Sequence, residues 1–167
     1  MSPPNSSLIK GASFPPWRHI MNSLYTETKK IHAQCIACGE PAEGQLALGL
    51  VFREMANGAV TTDFLVTPEH QGYPGLLHGG LISTLLDATM TNCLFSRGIH
   101  ALTVELLVRF STPIPVGSYL SITSWVLSQR KNIFRLESTI CFRGELKHLA
   151  RATAKFMAVP QAFFYQK

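Results

Sequence analysis

The chain has 167 residues, of which 46% are hydrophobic and 15% charged, enough apolar material for a sizeable core and a balance that excludes a disordered chain. Its formal charge of +5 comes from Lys and Arg scattered without a basic run, which argues against a nucleic-acid partner and favours a small anionic ligand. No stretch approaches the roughly 20 apolar residues of a membrane span, and the N-terminus lacks a basic region followed by a long apolar one, so a cytoplasmic protein with no membrane span is expected.

Residues up to about 16 are rich in Pro and Ser and read as loose. Trp17, Ile20, Met21, Leu24 and Tyr25 recur at helical spacing, predicting a peripheral helix from 17 to about 31. A loop is expected at 39–44. Strands are expected at 46–55 and 59–66, paired through Asn57-Gly58, a dipeptide that marks tight hairpins. From Gly79 to about Phe95 the sequence is apolar nearly all round, the pattern of a helix buried on several sides, with Arg97-Gly98 ending it. Four alternating segments follow at 102–110, 118–127, 133–142 and 149–159, broken at Pro113 and Pro115, at 129–132 and at Gly144. In the last, Ala150, Ala152, Ala154, Phe156 and Ala158 share one face against Arg151, Thr153 and Lys155, so a helix can approach the small side chains closely. A two-stranded opening, a buried helix and a four-strand meander predict an α+β fold, a curled antiparallel sheet wrapped on a central helix. The chain divides into an N-terminal extension with its helix (1–34), a main domain (35–160) and a short tail (161–167).

The chemistry concentrates in His78-Gly79-Gly80 and, eight residues after Gly79, Asp87. A carboxylate inside an apolar helical run costs several kcal/mol unless it is paired or hydrogen-bonded, so Asp87 is either locked in a polar network or held for chemistry. Ser83 and Thr91, one turn away on either side, are the candidates for such a network. The glycine pair leaves first-turn N–H groups bare at the positive end of the helix, a ready oxyanion site. Eight helical residues rise by about 12 Å, more than one substrate carbonyl can span. Donor and carboxylate of one site would then come from two copies of the chain, and a homodimer with shared active sites is expected. His78 reads as a helix cap or loop support, since nothing in the sequence gives it the second partner of a nucleophile–base pair. Ser83 has no nearby base and no Gly-x-Ser-x-Gly elbow is present, which argues against a serine hydrolase. Cys35, Cys38, Cys93 and Cys141 suit neither a disulfide framework nor a complete zinc site. The pair Cys35 and Cys38 is read as packed reduced thiols at a turn, ahead of a metal or redox role.

At His78-Gly79-Gly80, the apolar run and Leu86-Asp87, the chain resembles the hotdog-fold thioesterases, in particular their phenylacetyl-CoA thioesterase-like (PaaI-like) branch. The likeness extends to Cys35-Ile-Ala-Cys38-Gly39, to Pro68-Glu-His-Gln-Gly72, and to Thr103-Val-Glu-Leu-Leu-Val-Arg-Phe110 with Pro113 and Pro115, covering about 35–160. It implies a hotdog fold with an extra N-terminal helix, and an acyl-CoA thioesterase releasing a carboxylic acid and coenzyme A. The catalytic carboxylate falls on Asp87, the oxyanion donor on the Gly79 N–H, and a strand hydroxyl on Thr103. Some members carry Asn or Gln six residues before the His; this chain has Gly72 there, with Gln71 beside it as a substitute. Gly80, Thr91, and Arg130 and Lys131 at a strand turn complete the expected binding and supporting set. Period-two alternation puts Thr103, Glu105, Leu107 and Arg109 on one strand face and Val104, Leu106, Val108 and Phe110 on the other. No metal and no cofactor are expected, since thiolate is a good leaving group and coenzyme A is part of the substrate. The resemblance also implies a homotetramer built as a dimer of dimers. Two other readings stand beside hydrolysis: a non-catalytic acyl-CoA-binding module, and an enoyl-CoA hydratase-type lyase using His78 and Asp87.

Overall fold

In the computed structural model, residues 25–39 and 47–165 are described. Of the predicted first helix, residues 25–30 are helical and are labelled α1; its earlier part, the Pro/Ser-rich start and the 40–44 loop lie outside the described residues. The chain continues through β1 (Phe52–Glu54), β2 (Val60–Leu65), α2 (Gly79–Phe95), β3 (Ala101–Phe110), β4 (Tyr119–Arg130), β5 (Ile133–Phe142) and β6 (His148–Ala158). All pairings are antiparallel, in a six-stranded sheet of order β1-β2-β4-β5-β6-β3.

α2 packs against all six strands. Leu85, Leu86, Met90 and Leu94 on the helix meet Ile122, Leu136, Ile140 and Phe156 from the sheet, each 1% exposed or less, and each such side chain contributes about 1.5–3 kcal/mol. The small-residue face of β6 is where it was expected: Ala150, Ala152, Ala154 and Phe156 are buried, whereas Arg151 is exposed. Arg97 closes the helix by donating to Cys93 O (2.8 Å) and, across the fold, to Gly58 O (3.1 Å). Gly98 then turns the chain at φ 69°, the left-handed conformation in which glycine ends helices without strain.

Three expectations need correction. The first strand is only three residues long, because the N–H groups of Leu48 and Leu50 bond to Ile36 O (2.7 Å) and Ala37 O (3.0 Å) instead of to a neighbouring strand. Its hairpin is real but looser than a two-residue turn: Glu54 pairs with Val60, and the loop closes through Met55 N–H to Ala59 O (2.8 Å). The last four strands do not form a meander. β4, β5 and β6 do, but β3 pairs with β6 at the far edge. The proline-broken link after β3 crosses to the loop before α2, where Leu77 N–H bonds Ile114 O and Val116 N–H bonds Gly75 O (both 2.8 Å). This delivers the chain to β4 beside β2 rather than beside β3.

Candidate active site

His78 is the N-cap of α2. Its backbone is extended (φ −64°, ψ 130°) and its Nδ1 accepts the Gly80 N–H at 2.8 Å, satisfying one of the donors that every helix start leaves over. The ring lies between two glycines. A Cβ on Gly72 would come within 2.8 Å of His78 Cδ2, and one on Gly80 within 2.9 Å of His78 Nδ1, so both positions must stay bare for the imidazole to fit. Gly72 therefore stands where a longer side chain would displace the cap. Gln71 does not take over the missing side chain's place; its Oε1 accepts the Gly75 N–H at 3.0 Å, bracing the loop. The loop is braced again where His78 N–H bonds His70 O (2.9 Å).

Gly79 follows the cap. Its N–H has no acceptor among the described residues, and a Cβ there would meet only the Phe110 ring, at 3.7–3.8 Å. Two turns on, Asp87 is half-buried. Its hydrogen bond comes from neither Ser83, which donates to Gly79 O (3.1 Å), nor Thr91, but from Thr103 Oγ1, across the gap to β3, at 2.8 Å. Burial pushes the Asp87 carboxyl above the ordinary carboxylate range, and the Thr103 hydroxyl pulls part of the way back.

Thr103 reaches Asp87 because β3 is irregular. Opposite β6, Thr103 pairs with Phe156 and Glu105 with Lys155, so Val104 is an extra residue, a β-bulge. Beyond it Leu106, Val108 and Phe110 pair with Ala154, Ala152 and Ala150 and share their helix-facing side. The predicted grouping of Thr103 with Glu105, Leu107 and Arg109 is thus overturned: the bulge resets the alternation, and Thr103 faces the helix while Glu105 turns outward to pair with Lys155 (2.7 Å). Alternation by itself could not reveal this, because an inserted residue leaves the pattern on either side intact.

Arg130 and Lys131 lie apart from this cluster, exposed at the β4–β5 turn, with Lys131 at φ 55°. With Arg135, Lys155, Ser128 and Asn132 they line an open groove of about 530 Å³. The sequence reading missed Arg135 and Lys155. Their signal was the β5–β6 register, in which they lie directly opposite each other. Thr91 is half-buried and, like the turn cations, is not brought to the Asp87–Thr103 contact.

Residues 74–146 match the family model of the Thioesterase superfamily. Acyl-coenzyme A thioesterase THEM4 of Mus musculus is 33% identical over 87 residues, 52% of this chain and 37% of that protein. Acyl-coenzyme A thioesterase 13 of Homo sapiens is 35% identical over 80 residues, 47% of this chain and 57% of that one. The chain thus spans about half or less of the curated relatives it matches. The PaaI protein of E. coli, from the phenylacetic acid degradation operon, superposes with a TM-score of 0.64 over 84% of this chain and 96% of that one, at 20% identity. Over residues 74–146 the chain is thus similar to the Thioesterase superfamily, and it shares the hotdog fold of the PaaI protein.

Proposed function

We propose that this chain is an acyl-CoA thioesterase, hydrolysing an acyl- or aryl-CoA to the free acid and coenzyme A. The observation that carries the reading is the Thr103–Asp87 hydrogen bond. It leaves a half-buried acid with a single neutral donor and no cation among the described residues, the state suited to taking a proton from water or attacking a carbonyl. In the first route, water adds to the thioester carbonyl carbon and gives its proton to Asp87. The tetrahedral oxyanion is held by the Gly79 N–H, and collapse breaks the C–S bond and expels coenzyme A thiolate, which takes the proton back. In the second, Asp87 adds to the carbonyl, thiolate leaves, and water opens the mixed anhydride. Both routes need the Gly79 donor and the acid, and Thr103 positions the latter.

Gly79 and Asp87 are eight residues apart on one helix, a rise of about 12 Å, so each site takes its donor from one protomer and its acid from the partner. An outer edge strand bearing exposed Val104, Leu106, Leu107 and Phe110 supports that dimer, and a dimer of dimers completes the proposed assembly. Arg130 and Lys131, with Arg135 beside them, offer the coenzyme's phosphates a cationic groove, at whose wall Lys155 is held by Glu105. Four free cysteines suit the reducing cytoplasm. The hydratase reading is disfavoured by the His78 ring, whose Nδ1 already accepts the Gly80 N–H.

Release of coenzyme A thiol across short, medium, long and aryl acyl-CoAs tests the proposal. Turnover of at least one class is expected, with a KM that climbs as salt screens the groove. No release from any class would overturn it.

A further inference from the structure

At the far end of α2 from the Gly79 N–H, the segment carrying α1 folds onto the helix. His32, Cys35 and Cys38 lie at successive steps of three along a run of turns, held by Cys35 N–H to His32 O (3.0 Å) and Gly39 N–H to Cys35 O (2.7 Å). One ligand atom from each lies within 4.8 Å of the other two, and His32 Nδ1 is 3.8 Å from Cys38 Sγ. In a tetrahedral zinc site with Zn–S of about 2.3 Å, two sulfurs stand ~3.8 Å apart. The cluster is therefore close to binding dimensions and needs only side-chain adjustment. We propose that His32, Cys35 and Cys38 form a metal site for zinc or a similarly thiophilic divalent cation, which fixes the turn that packs against the end of α2.

Four observations support it. The donor set is one imidazole nitrogen and two sulfurs, which select zinc-like ions over magnesium or calcium. The Cys-x-x-Cys spacing is that of zinc-binding turns. Gly39 permits the turn, since a Cβ there would stand 2.6 Å from Cys35 O and 2.7 Å from Ala33 O. The surroundings hold the ligands in place: the His32 ring packs edge-on against Phe95 (centroids 4.7 Å), and Tyr25 of α1 donates to Asn92 Oδ1 (2.9 Å). Asn92 and Phe95 both belong to α2, so an ion here would hold the 32–38 turn in the shape that packs against that helix. Asp87 and Thr103 contribute nothing to it, and the role is a fastening one, outside the hydrolysis proposed above.

The test is the metal content of the full chain purified without chelator, followed by stripping and reconstitution with zinc and with cobalt(II). One zinc per chain is expected, with a thiolate-to-cobalt charge-transfer band and a Tm that rises when zinc is restored. Cys35→Ser and His32→Gln, both at half-buried positions, should fold yet lose the ion. The proposal is overturned if the wild type takes up neither metal, if both variants retain zinc at the wild-type level, or if a thiol count finds Cys35 and Cys38 joined as a disulfide in protein from a reducing cytosol.

Discussion

Two carboxylates on opposite sides of the sheet meet different fates. On the outer side of the sheet, Glu137 of β5 is 7% exposed and is matched by the Arg151 guanidinium at 2.6 Å. On the helix side, Asp87 is half-buried and receives one hydroxyl. Asp63 of β2 follows the Glu137 pattern, with Arg53 of β1 at 2.8 Å. Where the fold needs a carboxylate for itself it supplies a guanidinium. Where it supplies only Thr103, the acid keeps unused acceptor capacity and a raised proton affinity, a combination that suits proton transfer better than scaffolding.

Breaking the helix side should therefore silence the chemistry while sparing the fold. Asp87→Asn is expected to lower thiol release by at least about 100-fold, the usual scale of a general base. Its effect on stability should have the opposite sign. A carboxyl whose folded pKa is raised takes up its proton more readily folded than unfolded, so it costs stability as pH rises from the unfolded value through the folded one. The variant should consequently show a higher Tm than wild type at neutral pH and no difference in acid, measurable by calorimetry at two pH values. Gly79→Pro removes the proposed oxyanion donor at the first helical position, where proline is well tolerated and the preceding His78 is already extended. A fall of about 100- to 1,000-fold is expected with the helical circular dichroism retained.

Thr103→Val sharpens the contrast by deleting only the hydroxyl. A hydrogen bond to a charged group is worth about 1.5–3 kcal/mol, so kcat should fall by about tenfold or more, and the acidic limb of the pH–rate profile should move to higher pH because the group that held the Asp87 pKa down is gone. Arg130→Ala with Lys131→Gly should raise KM several-fold, flatten its salt dependence and leave kcat alone; glycine at 131 suits the positive φ found there. Glu137→Gln, on the other side of the sheet, should lower Tm modestly and leave turnover unchanged.

Much of this was legible in the residues. The bounds of α2 follow from a capping His, two glycines and a largely apolar stretch closed by Arg97-Gly98, and β5 from clean alternation between a two-residue turn and Gly144. These are local signals. The sheet order was not legible, because β3 joins β6 across a long stretch of chain and the hydrophobic pattern of an edge strand does not name its neighbour. The orientation of Thr103 depended on one extra residue at Val104, which periodicity cannot detect. His32 escaped notice beside Cys35 and Cys38 because a lone His in a helical stretch carries no signal until the following turns bring its ring against Cys38.

The claim that the site is shared between two chains is tested most directly by one thiol-release assay on four samples: wild type, Asp87→Asn, Gly79→Pro, and the two variants unfolded and refolded together in equal amounts. Each variant alone should be silent. Half of the randomly mixed dimers would be heterodimers holding one intact site, so the mixture should regain roughly a quarter of wild-type activity if the acid and the donor come from opposite protomers. A mixture as silent as its components, beside an active wild-type control refolded in the same way, would contradict the shared site.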